Sequence, residues 1–325
     1  MTRRITVGVL LCLCLTAYGD LDKVGKKRPE GPVKGLRIHE WGVFHIVKDG
    51  CKAAGGGEAP AFIQRVPAEL PPLALNPAAR PNTVAKEPIL HIYAPEAMAL
   101  HVEVSFPTGK PTLAWPAAQA GLKPCAASGP GIPRLAWDLQ VDGELKEGEP
   151  HPPEMLQEHW ISGVRKVGSD LLCSGEDVEH FLFYEGELKH KSTLHVGFGD
   201  PNLVTVNGRT ESTEAWVLRG EEKTLSKCHL VNLSAPREDP PMGTLEGTTP
   251  ADLQAELLKA LVTAGLSEAE AGALLTIWMP ELTKPGTRLA YVLSREEYDR
   301  LLPIHFSPEP EELRRVGLVV QEISP

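Results

Sequence analysis

The 325-residue sequence is short of basic patches, CxxC pairs and catalytic signatures, and each shortage excludes something. Its 33 Lys and Arg face 43 Asp and Glu, and the charges are scattered rather than blocked. A dispersed acidic surface repels phosphate backbones and anionic lipid, which argues against nucleic acid and membrane surfaces as partners. The nearest basic cluster, Lys26, Lys27 and Arg28, lies among Gly25, Pro29, Gly31 and Pro32, the composition of a solvated spacer. There is no CxxC, no GxSxG elbow, no HExxH, no nucleotide-binding glycine pattern and no internal repeat. Thioredoxin-like, serine-hydrolase, metalloprotease and dinucleotide-binding readings therefore have no motif to stand on, and no cofactor or metal is expected.

One long apolar run is present, at the very start. Arg3 and Arg4 precede an apolar stretch from Ile5 to Ala17, and Ala17-Tyr18-Gly19 puts small residues where a signal peptidase cuts. The run is shorter than the ~20 residues a bilayer-spanning helix needs. Residues 1–19 are accordingly expected to be a signal peptide, residues 20–35 a flexible spacer, and the mature chain periplasmic or secreted with no stable membrane span. The formal charge of −10 becomes −12 once Arg3 and Arg4 leave with the leader. Four cysteines then remain, Cys51, Cys125, Cys173 and Cys228, an even and widely spaced set that suits disulfides in an oxidising compartment, with three pairings open.

Thirty glycines and thirty prolines indicate many turns, and the prolines divide the chain. They crowd from Pro60 to Pro81 and from Pro107 to Pro133, whereas Glu154 to Ala235 contains only Pro201. Alternating apolar and polar residues predict strands at Leu36–Val47, Ile89–Tyr93, Leu100–Phe106, Leu135–Val141, His180–Tyr184, Leu194–Phe198, Leu203–Val206 and Ala215–Leu218. Asn207-Gly208 favours a two-residue hairpin turn, and Glu185-Gly186 reads as the turn that ends its strand. These features predict a mainly β, antiparallel sandwich-like domain over 36–235. A linker at 236–249 leads into an α/β module at 250–325. There Thr249 caps a helix with Pro250 in its first position, Gly265 stops it, and Ser267 with Glu270 forms a capping box for a second helix ending before Pro280. Strands at Arg288–Leu293 and Arg315–Ile323, with a capping box at Ser294, complete the module around this helical hairpin.

The string His39-Glu40-Trp41-Gly42-Val43-Phe44-His45 is the most suggestive for chemistry. On a strand His39 and His45 share a face but stand ~20 Å apart, too far to ligate one ion. One of them could meet His91 or His101 from neighbouring strands. The plainer reading pairs His39 with Glu40 by a hydrogen bond and buries Trp41 in the core. Arg288 opens an apolar strand and could pair with Glu281 or Asp299. Candidate binding residues are thus His39, Glu40, Trp41, His91, His101 and Arg288. Glu58, Glu87, Asp138 and Glu179 are carboxylates without a privileged position. Trp115, Trp137, Trp160 and Trp216 could form a stacking platform for a sugar, or simply core.

The segments LRIHEWGVFHIV, EPILHIYAPE, VSFPTGKPTLAWPA, EHFLFYEG and GTRLAYVLSREEYDRLLPI, in this order, resemble a family of uncharacterised exported bacterial proteins that share HEWG-x-F and FLFY segments. The resemblance implies export and a common fold and carries over no catalytic residue; where many members have Arg after FLFY, this chain has Glu185. The expected role is a binding or structural module of the cell envelope, its ligand an unidentified envelope or extracellular component. The alternative is a metal-dependent or carboxylate hydrolase built on strand-borne His and Glu.

Overall fold

The computed structural model describes residues 31–47, 60, 62–66, 83–125, 129–142, 151–154, 159–190, 192–199, 202–208, 210–235 and 239–323. The leader, most of the spacer, Cys51 and Glu58 lie outside the described residues. The described residues are mainly β, 53% strand and 18% helix. Its first part contains β1 (Val33–Ile46), β2 (Gln64–Arg65), β3 (Thr83–Tyr93), β4 (Met98–Ser105), β5 (Gly109–Trp115), β6 (Gln119–Cys125) and β7 (Gly129–Asp142). After α1 (Trp160–Arg165) come β8 (Leu171–Ser174), β9 (Asp177–Glu179), β10 (Leu182–Leu188), β11 (His195–Phe198), β12 (Leu203–Asn207), β13 (Glu214–Gly220), β14 (Leu225–Val231), β15 (Met242–Thr244) and β16 (Glu246–Thr248). The last part contains α2 (Pro250–Thr263), α3 (Glu268–Thr283), β17 (Gly286–Val292), α4 (Arg295–Leu301), β18 (Ile304–Ser307) and β19 (Pro310–Ile323).

Ten strands form one sheet in the order β16-β14-β13-β17-β19-β1-β3-β10-β5-β2. A second sheet runs β18-β4-β7-β8-β9 with β6 beside β7, and a third runs β11-β12-β15. The ladders are antiparallel except for β1 against β19, whose parallel register sets Glu40 opposite Arg315 and His45 opposite Val320. The expected module boundary does not divide the sheets. Strands β17 and β19 lie inside the large sheet between β13 and β1, and β18 pairs with β4 in the second one. A pattern of prolines marks where the chain turns, but it carries no information on which distant strands pair.

Two apolar layers flank the large sheet. On one side Ile38, Phe44, Ile92, Leu182 and Tyr184 pack against Val102, Val104, Leu135, Trp137 and Leu139 of the second sheet, making the sandwich core. On the other, Trp41, Val43, Ile89, Phe183, Trp216 and Leu318 pack against Leu253, Leu257 and Leu261 of α2 and Leu274, Leu275 and Trp278 of α3. Alternation along β1 feeds both layers, so neighbouring side chains on this strand enter different environments.

The helical hairpin forms as its caps dictate. Thr249 Oγ1 accepts from the Asp252 N–H at 3.1 Å, and Ser267 with Glu270 completes the reciprocal capping box. Helix α3 continues past Pro280 to Thr283. Proline removes one hydrogen bond, to the carbonyl four residues back. Here both Pro280 and Thr276 are on the exposed side, where water can take over that carbonyl. Two turn expectations also change. Strand β12 pairs with β11 and β15 rather than with β13, so Asn207-Gly208 closes no hairpin between them. Strand β10 runs through Glu185-Gly186, where its register against β5 shifts. A Cβ at Gly186 would strike the Phe106 ring, so the glycine serves close packing at a bulge rather than a turn.

Candidate functional site

The HEWG string is the hub of the buried polar groups, but its members part company. Glu40 enters the sandwich layer and is fully buried. Its carboxylate accepts from Tyr184 Oη and from Arg315 Nε, and the Arg315 guanidinium also reaches Asp299 Oδ1 at 2.6 Å and covers the Tyr298 ring at 4.2 Å. Burial and the Glu40 charge push the hydroxyls of Tyr184 and Tyr298 well above their ordinary range, while Glu40 and both tyrosines hold Arg315 protonated against the cost of burial. The expected His39–Glu40 hydrogen bond is absent because adjacent strand residues face opposite layers. Trp41 is core, as its alternation implies. Gly42 is required where β1 shifts register against β3, since a Cβ there would stand 2.8 Å from Pro88 Cα.

His39 faces the helices. Its Nδ1 lies 2.9 Å from Glu270 Oε1 and 3.2 Å from Oε2. The same carboxylate accepts from Tyr93 Oη at 3.1 Å and from the Ser267 N–H at 2.8 Å. Burial opposes ionisation of Glu270, but the hydrogen bonds from His39 and Ser267 and the charges of His39 and His91 prevail and hold it at about 2. One glutamate therefore closes the capping box of α3 and fastens that helix to β1 and β3. Glu312 stands 3.9 Å from His39 Nε2, and Arg37 lies over the Tyr93 ring at 5.2 Å.

His91 is the direct cross-strand neighbour of His39. Its Nδ1 is 3.0 Å from Ser169 Oγ, and that hydroxyl donates to the His180 carbonyl at 2.5 Å. A serine has one proton to give, and a carbonyl can only accept, so the proton on the His91–Ser169 bond belongs to His91 Nδ1. Ser169 is thus oriented as an acceptor and is not poised as a nucleophile. His180 Nδ1 faces the Ser169 carbonyl at 3.2 Å and carries its proton there for the same reason. Burial lowers His91 to about 4.

The remaining sequence candidates do not join this group. His101 lies on the outer face of the second sheet, bonded through Nδ1 to Asp138 Oδ1 at 2.7 Å, with the sandwich core between it and His39. Arg288 is at the other end of the large sheet from His39, its guanidinium donating to the carbonyls of Lys284 and Pro285 and its Nε standing 3.8 Å from Glu281. Of its two suggested partners Glu281 is the one met; Asp299 is engaged by Arg295 and Arg315. Glu87 accepts from Trp278 Nε1 at 2.8 Å, and Glu179 is held by Arg165 through two hydrogen bonds and by Trp115 Nε1. The tryptophans form no platform, since Trp137 belongs to the sandwich layer while Trp115 and Trp216 belong to the helical one.

No disulfide is formed among the described residues. Cys228 carries a free, buried thiol, raised above its ordinary range by burial and the nearby Glu246, while its candidate partner Cys51 and the Cys125 side chain lie outside what is described. Cys173 is half-buried on β8.

No protein-family model, curated protein or solved structure matches this chain.

Sequence reasoning missed Glu270 as the partner of His39. The capping box was visible, but nothing in a local motif tells that its glutamate has a second oxygen to offer a strand more than two hundred residues away.

Proposed function

We propose that this chain is an exported protein of the cell envelope or extracellular space that acts by binding rather than by turnover. One observation carries the reading: the acids and the hydroxyl around the HEWG string are spent on internal partners. Glu270 serves His39, Tyr93 and Ser267; Glu40 serves Tyr184 and Arg315; Ser169 donates to a backbone carbonyl. Groups so committed orient a scaffold, and a general base or nucleophile needs a free lone pair within reach of substrate. Export is supported by the leader-like residues 1–19.

A hydrolase is the second reading, favoured by one feature. An imidazole whose Nδ1 is held by an ionised glutamate has the form of a base with its orienting acid. A panel of chromogenic esters, phosphoesters and glycosides decides between them. The binding reading expects no turnover by the purified protein above that of His39→Ala. Turnover that His39→Ala abolishes would establish the hydrolase. Export is tested separately by the mass of protein recovered from the periplasm or medium, expected to lack residues 1–19.

A further inference from the structure

We propose that His45, Glu281 and Glu322 form a binding site for one divalent first-row transition-metal ion, of which zinc suits the donor set best. This site lies near the end of β1, six residues beyond His39, and does not depend on the reading above.

The three residues come from three elements, β1, α3 and β19. One ligating atom from each lies within 4.8 Å of the other two, and among the described residues this is the set of three that gathers so closely. Bonds of ~2.0–2.2 Å from a central ion require donors somewhat nearer than that, a contraction within the reach of two glutamate side chains. An imidazole with two carboxylates is a borderline-to-hard donor set, suited to zinc and its first-row neighbours rather than to an ion that prefers oxygen alone.

Carboxylates in company are common, and it is His45 that points to a ligand. It is fully buried, yet neither of its ring nitrogens makes a hydrogen bond. Its Nε2 stands 3.8 Å from Glu322 Oε1, and its ring meets Trp278 edge-on at 5.9 Å. Leaving both nitrogens of a buried imidazole unmatched is costly, and a metal bond at Nε2 would relieve one of them. The sheet face fixes its aim: on β1 residues 41, 43 and 45 turn toward the helices, and α3 brings Glu281 over the strand's end.

The cationic groups here have separable roles. Arg288 is tied to the carbonyls of Lys284 and Pro285 and balances Glu281 from behind, at 3.8 Å. Lys284 is the C-cap of α3 and one-third exposed; its ammonium contacts Glu281 and stands 3.7 Å from Glu322. It is a tethered cation bridging the same two carboxylates that the ion would take. Metal entry therefore displaces Lys284 toward solvent, and the two cations compete.

The test is titration of the metal-free full chain with zinc sulfate by calorimetry, with elemental analysis after dialysis and cobalt(II) absorption as a coordination signature. We expect one ion per chain in the wild type, at least tenfold weaker binding in Glu322→Gln, and at least tenfold tighter binding in Lys284→Ala. His45→Ala should abolish binding; should that core variant not fold, the variants at the half-buried Glu322 and Lys284 carry the test. Absence of binding by the wild type would overturn the proposal. So would unchanged affinity in Glu322→Gln, which would place the ion elsewhere, or weaker binding in Lys284→Ala, which would make the lysine a partner rather than a competitor.

Discussion

His39 Nδ1 lies 2.9 Å from Glu270 Oε1, and this contact ties the middle of β1 to the first turn of α3. About three helical turns later the same helix brings Glu281 to His45 near the end of the same strand. Along a strand and a helix lying side by side, a histidine thus comes close to a glutamate at two places, with Trp41, Val43, Leu274 and Trp278 forming the apolar layer between them. The two places differ in satisfaction. At His39 the glutamate is saturated with donors, whereas at His45 the imidazole has none, which is why the first reads as architecture and the second as a ligand site.

The Glu40–Arg315 pair is fully buried on both sides. Removing one partner of such a pair leaves an uncompensated charge and costs about 3–5 kcal/mol. Arg315→Leu is expected to lower unfolding stability by that amount in urea, and a double replacement of Glu40 and Arg315 by apolar residues to recover much of it. A loss below ~1 kcal/mol in the single variant would mean that water reaches the pair.

Stability should depend on acidity in two steps. His91 titrates at about 4 in the fold against 6.5 when unfolded, so the unfolded state binds its proton first and stability falls as pH drops from 6.5 to 4. Glu270 titrates at about 2 in the fold against 4.5, so its contribution is complete above 4.5 and is lost as pH falls toward 2. Each step is on the order of 3 kcal/mol. Urea midpoints measured from pH 2 to 8 should show both; Glu270→Gln should flatten the lower one, and His91→Gln should reduce the upper one, to which His45 and His190 also contribute.

Cys228 should behave as a buried thiol. Iodoacetamide is expected to leave it unmodified in the native protein and to label it in urea without any reductant. Its absence from the labelled fraction under denaturing, non-reducing conditions would show that it is crosslinked after all.

Gly186→Ala places a methyl group against the Phe106 ring at the bulge of β10. Overpacking of this kind costs about 1–3 kcal/mol, which a shift in urea midpoint would register.

What could be read from the residues was local. Alternation located β1, β4 and β7. Capping residues located α2 and α3, and strand geometry alone separated His39 from His45. Strands in proline-rich stretches were invisible, because β5 and β6 hold their prolines within pairing partners that a single sequence does not display. The same is true of the site. Arg315 meets Glu40 through a parallel register across 275 residues, and Glu322 reaches His45 by the same ladder. Charged residues near the end of a closing strand look like ordinary solvated groups until the strand that lies beside them is known.

Turnover and melting of Glu270→Gln, measured beside the wild type, test the central claim most directly. If His39 and Glu270 hold the fold and do no chemistry, the variant melts several degrees lower while no hydrolysis rate in the substrate panel changes. Wild-type turnover of any member of that panel, lost in Glu270→Gln without a change in melting temperature, would contradict the account.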